Sequence, residues 1–151
     1  MRFSNKLLGR LVEAGWREGR CASEHLPEFQ VALGPILHSA AHEVLAEFAD
    51  LAIGRRVFFD LYYVKLALNE RRKLPLSLCH SLCPVAHTSY WSDTSVWIDE
   101  CGHVFLLEPD ELSYFASSMD TALEILVLGG DPEPVPQEHQ PGHWEIADEQ
   151  L

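Results

Sequence analysis

The sequence predicts an α+β fold: N-terminal helices, a central mostly antiparallel β-sheet with a hairpin near residues 94–107, and a closing C-terminal helix. Three observations carry this. Three stretches with helical apolar spacing precede any clear strand, "TSVWIDECGHVFLL" reads as two strands joined by a tight turn, and one more helical stripe ends at Gly129-Gly130.

In chain order, Leu7, Leu8, Leu11 and Val12 recur on one helical face, with Ser4 placed to cap the start and Gly15 placed to end it. In the "AGWREGR" that follows, Trp16 is suited to folding back on the core, Gly19 permits a second bend, and Arg17 and Arg20 are expected to pair with acids of the second half. A second helix is predicted from Pro27 through Phe29 and Leu33 to the Gly34-Pro35 stop, since proline suits a first helical turn. A third follows Ser39, because Ala41, Val44, Leu45 and Phe48 fall at i, i+3, i+4, i+7.

From Leu51 the pattern changes. "RVFFDLYYVKLAL" is rich in β-branched and aromatic residues and reads as strand, with an ending that has helical spacing as well. "PLSLCHSLC" is expected to form a short helix ending before Pro84. In the hairpin, Asp99-Glu100-Cys101-Gly102 makes the turn, with Gly102 supplying a positive φ. In its first strand Trp97 alternates with Val96 and Ile98, and one face of that strand must be core. A further strand is placed at 112–116, and Ser117 or Ser118 caps a last helix in which Met119, Ala122, Leu123 and Leu126 share a face. Residues 1–130 read as a single domain and 131–151 as an acidic, proline-rich, extended tail with Trp144 and Ile146 as its docking anchors.

The chain has 151 residues and a net charge of −12, and its charges are segregated. Lys73 is the last basic residue; fourteen of the 23 acids lie beyond it. A surface of that sign disfavours a nucleic-acid backbone and favours a cationic protein partner. The apolar runs fall short of the roughly 18 residues of a membrane helix, and charges at Lys6, Arg10 and Glu13 interrupt any leader-like start. A cytoplasmic protein with no membrane contact is the expectation.

Cys79, His80, Cys83 and His87, joined from the hairpin by Cys101 and His103, are the nearest approach to a metal-ligand cluster. Pro84 breaks the helix before His87 and no second C-x-x-C pair exists, so packing of small apolar thiols is the favoured reading and neither metal nor cofactor is expected. A cysteine nucleophile paired with one of those histidines needs a neighbouring positive charge, which this half of the chain lacks. Glu108, Asp110 and Glu111 lack the glycine-spaced pattern of a calcium loop, and no nucleotide-loop or hydrolase motif is present. No enzyme is expected. Aromatics beside acids suit the gripping of a basic protein, and the candidate surface is Trp91, Asp93, Asp99, Glu100, Glu108, Asp110 and Glu111.

In order along the chain, Gly15-Trp16 with Gly19-Arg20, "FADLAI" (residues 48–53), Pro84-Val85 entering a sheet, the hairpin "VWIDECGHVF" and the final "ALEILVLGG" resemble the third family of the SUKH superfamily, small bacterial immunity proteins. The resemblance covers roughly residues 5 to 130. It departs at Glu18, where the family often has proline, near Ala49-Asp50, where it often has Gly-Gly, at Ala86 in place of glycine, and at His103 in place of a basic residue; these are read as turn and surface positions. The resemblance implies an α+β domain that binds and neutralises a cognate toxin, commonly a nuclease or another enzyme of polymorphic toxin systems, with no catalytic motif to carry over. Together with the charge it points to non-covalent occlusion through an acidic surface. A cytoplasmic adaptor or regulator on the same scaffold is the alternative.

Overall fold

The computed structural model describes residues 2–89 and 93–146. Seven antiparallel strands run in sequential order: β1 (Ala52–Ile53), β2 (Val57–Phe58), β3 (Cys83–Thr88), β4 (Thr94–Ile98), β5 (Val104–Glu108), β6 (Glu111–Ala116) and β7 (His143–Glu145). Helices α1 (Asn5–Glu13), α2 (Leu26–Leu33) and α3 (Ser39–Phe48) precede the sheet, α4 (Leu61–Leu68) and α5 (Leu76–Cys79) interrupt it, and α6 (Met119–Leu128) follows β6. The α+β expectation, the hairpin and the C-terminal helix all stand.

The helix starts follow their capping chemistry. Ser4 Oγ accepts from the Leu7 amide and donates to Glu124, whose other oxygen takes the Ser4 amide, so one residue caps α1 and ties it to α6. Ser118 Oγ accepts from Thr121 N at the start of α6. At α3 the cap is His38, not Ser39: Nδ1 accepts from Ala41 N, which leaves Nε2 protonated to donate to the Ile98 carbonyl 3.1 Å away.

Two cores sandwich the sheet. The larger joins Leu7, Leu11, Leu45, Phe48, Leu123 and Leu126 of the helices to Val85, Val96, Ile98, Val104, Leu106 and Phe115 of the strands. The smaller, on the opposite face, contains Trp97, Phe105, Leu107, Leu112, Tyr114, Leu82, Leu74 and Ile146, with Val135, Leu78 and Trp144 packed against it. Strand β4 is therefore buried on both faces and Trp97 is fully covered, its indole N–H satisfied by Ser95 Oγ. The stretch "RVFFDLYYVKLAL" divides into β2 and α4. Val64 of that helix enters one core and Ala67 the other, so tertiary burial overrides the β-propensity of its aromatic residues.

The tail, as far as residue 146, joins the sheet. Val135 leads to a short 3₁₀ turn at Gln137–His139, and β7 then pairs with β6. Trp144 and Ile146 are its anchors, and backbone bonds from Glu133 N to Phe115 O, Tyr114 N to Gly142 O and Ile146 N to Asp110 O fasten it.

Trp16 and Arg20 of "AGWREGR" have structural work. Trp16 is buried edge-on to Phe3, and its indole N–H donates to Glu47. Arg20 donates to the carbonyls of Glu47 and Ala49 at the end of α3, where a cation opposes the helix dipole. This replaces the expected pairing of Arg20 with acids of the second half. Arg2 provides that link, through Asp120.

Candidate functional site

The sheet register assembles the acids. Glu108 of β5 lies directly opposite Glu111 of β6, and Glu111 lies directly opposite Glu145 of β7. Three carboxylates thus occupy one rung across three neighbouring strands, with Asp110 in the turn beside them. Like charges placed opposite each other in a sheet are mutually unfavourable. Glu108 registers this: burial, then the charges of Glu111 and Asp110, push its carboxyl above the ordinary value. Glu111 is held by Ser113 Oγ and by His143 Nδ1, 2.8 and 3.2 Å from its Oε2.

Next to the rung is a depression of about 340 Å³ that Glu108 shares with Glu70, Asp93, His87, Tyr63 and Leu66. Asp93 is almost fully exposed, while His87 stacks on Tyr63 with ring centroids 4.3 Å apart. Burial lowers the His87 pKa, against the opposing charges of Asp93 and Asp60. This end of the sheet combines aromatic surface with acids.

The candidate residues divide into two groups. Asp93, Glu108, Asp110 and Glu111 gather at one end of the central strands; Asp99 and Glu100 lie at the other, about 20 Å away along extended chain. Trp91 lies outside the described residues. Asp99 is not a surface anion: it is 7% exposed, and its Oδ1 accepts from the amides of Cys101 and His103 inside the hairpin turn, where Gly102 takes φ 90°. Glu100 is exposed beside a depression of about 430 Å³ that also carries Glu43, Glu47 and Asp120, but Arg2 already bridges the last two. Basic residues collect elsewhere, with Lys6, Arg10 and Arg56 around a third depression on the α1 side. The separation in space is partial, because Lys73 pairs at 2.8 Å with Glu70 on the rim of the depression beside the rung.

Cys79, His80, Cys83 and His87 do not converge. Cys83 is buried in the larger core, Cys79 packs against the smaller, and His80 is exposed. Burial pushes the Cys83 thiol up to about 12, Arg71 opposing, so it is not a nucleophile near neutrality. Sequence reasoning passed over Glu145 and His139, both in the tail. Glu145 joins the rung by register; His139 sits 3.4 Å from Asp99 Oδ2 and 2.9 Å from His103 Nδ1. Beside them, burial and then the charges of Glu133, Asp99 and Glu138 raise the Tyr114 phenol.

The model of the SUKH-3 immunity protein family matches residues 3–129, most of the chain. The chain belongs to the SUKH-3 immunity protein family. No curated protein and no solved structure matches it. SUKH-3 membership assigns an immunity function, and hence the binding of a cognate toxin, in a family that is generally non-enzymatic. Asp50 takes φ 70°, a left-handed conformation that aspartate tolerates better than most side chains. Ala86, in contrast, is no surface position: it is fully buried in β3 at a register shift. The SUKH-3 match ends before Glu133, His139 and Glu145, so the outer part of the acidic rung lies beyond it.

Proposed function

We propose that this SUKH-3 protein neutralises a toxin with a basic, nuclease-like active face by covering that face, in the cytoplasm and without chemistry of its own. The observation that carries the reading is the rung Glu108, Glu111, Glu145, three opposed carboxylates with Asp110 and Asp93 nearby and no Lys or Arg on any of the strands that bear them. Such a cluster is held at an energetic disadvantage in the free protein, and lysines or arginines of a partner relieve it. Nuclease toxins present such cations because their substrates are polyanions. Exposed Tyr62 and Leu66 on α4, near the same depression, add the apolar surface a tight complex needs.

The test pairs this protein with a candidate toxin domain chosen from the neighbouring genes. Co-expression should rescue cells from it, and the purified pair should associate fast at low salt and more slowly as salt rises. The triple variant Glu108→Gln, Glu111→Gln, Glu145→Gln should fold and lose at least about tenfold in association rate. Killing that is undiminished by the wild-type protein rejects immunity against that toxin. Protection and kinetics unchanged in the triple variant reject the rung as the binding face.

A further inference from the structure

Asp99 and His103 belong to the hairpin turn between β4 and β5, and His139 ends the 3₁₀ turn of the tail. One atom of each, Asp99 Oδ2, His103 Nδ1 and His139 Nε2, lies close to the other two, with separations of 3.2, 2.9 and 3.4 Å. The side chains are 9%, 20% and 12% exposed, so the place is largely enclosed.

With neutral rings, His103 Nδ1–H donates to both Asp99 Oδ2 and His139 Nε2, and the His139 lone pair then faces the carboxylate 3.4 Å away with no proton between them. If both nitrogens carry protons instead, two N–H groups confront each other across 2.9 Å. A cation bound by all three atoms removes that opposition. In a tetrahedral zinc site with bonds of about 2.0–2.1 Å, neighbouring ligand atoms lie about 3.3 Å apart, the scale of the triangle observed.

The surroundings support the same conclusion. Asp99 Oδ1 is fixed by the amides of Cys101 and His103 at 3.0 and 2.9 Å, which aims Oδ2 inward as an outer-shell partner aims a ligand. The His139 ring is held in place by Tyr114, stacked at 5.5 Å, and by Phe105, edge-on at 5.1 Å. Glu133 and Glu138 add negative charge nearby, with no Lys or Arg in this half of the chain. Two imidazoles and one carboxylate suit a borderline divalent transition metal over calcium or magnesium, which prefer all-oxygen sites.

We propose that Asp99, His103 and His139 form a binding site for Zn²⁺ or a similar transition metal, a water completing the coordination, which clasps the C-terminal segment to the hairpin. The site is separate from the acidic rung and stands or falls without the toxin-binding reading. It departs from the expectation of no metal because His139 joins the hairpin only in three dimensions.

The experiment takes tag-free, full-length protein stripped with a chelator and dialysed. Titration with Zn²⁺ should show one saturable equivalent per chain and raise the thermal midpoint, and Co²⁺ should give the visible absorption of a four-coordinate site. His139→Gln, checked by circular dichroism for a wild-type fold because its ring packs on Tyr114 and Phe105, should weaken Zn²⁺ binding by at least about 100-fold and abolish the thermal shift; His103→Gln should do the same. A folded wild-type protein with no saturable equivalent overturns the proposal and leaves the triangle a hydrogen-bonded latch. Binding that survives both variants, or is lost on alkylating Cys79, overturns it too, because the metal then sits elsewhere.

Discussion

Arg2 and Asp120, 118 positions apart in sequence, meet through two hydrogen bonds of 2.7 and 2.9 Å. The same guanidinium holds Glu47 through two more, at 2.7 and 2.8 Å, and its cation lies 4.5 Å from the centroid of the Phe3 ring. One residue from the half that holds all the Lys and Arg thereby pins α3 to α6 at the edge of an acid-rich depression. The pairs are partly exposed, Arg2 retaining 47% of its side-chain surface, and screening limits their value. Arg2→Ala should cost about 1 kcal/mol in urea unfolding at low ionic strength. The difference should shrink in high salt; a loss insensitive to salt would mean that packing on Phe3, not charge, is what Arg2 supplies.

Gly142 and Val135 set the path of the tail. Gly142 has φ 84°, and a Cβ there would run into both methyl groups of Val135. Two penalties therefore act on Gly142→Ala, backbone strain and collision, together about 2 kcal/mol. Since the segment holds Trp144 and Ile146 against the smaller core, protease cleavage near residue 135 should accelerate along with the loss of stability. Adding Val135→Ala should recover the collision and leave the strain, an interaction energy that a double-mutant cycle reads directly.

Side-chain spacing made some of this legible and hid the rest. The helices could be read because Leu7 and Leu11, or Leu45 and Phe48, must share a face, and because Ser4 and Ser118 can only usefully cap there. The hairpin could be read from Gly102. Strand β7 could not: Trp144 stands between exposed His143 and Glu145, and the pairing is decided by the free edge of β6, which no local pattern encodes. The acidic rung shares that fate, since opposing Glu111 to Glu145 is a property of register. Asp99 was misplaced at the surface because a hairpin turn is normally solvated; this one folds its carboxylate inward onto two amides and lies beneath the tail.

The four cysteines should separate kinetically. Cys21 and Cys101 are exposed, Cys79 is half-buried, and Cys83 is fully buried with its thiol pushed up to about 12. With a thiol reagent at pH 8, Cys21 and Cys101 should react first and Cys79 later. Cys83 should react only at the rate of global opening, because the thiolate is the reactive species and burial suppresses both it and access. Mass spectrometry of quenched digests gives the order. Early modification of Cys83 in folded protein would show that the β3 edge of the larger core opens locally.

Glu108 ties stability to the proposed binding. Its carboxyl sits above its ordinary value because of burial and then the repulsion of Glu111 and Asp110. A carboxyl with a raised folded-state pKa binds protons more readily folded than unfolded. Its contribution to stability is therefore fully present below the unfolded value and lost as pH rises through the folded one. At neutral pH the ionised group is a liability, so Glu108→Gln should unfold at a higher urea concentration than wild type at pH 7, with the advantage vanishing at acid pH. The same variant should bind the toxin more slowly, because the charge that strains the free protein is the one a cationic partner neutralises. Gain in stability with loss in association rate is the paired outcome expected of a residue kept for binding. A Glu108→Gln protein that is no more stable at pH 7 would show that the rung is already relaxed without a partner.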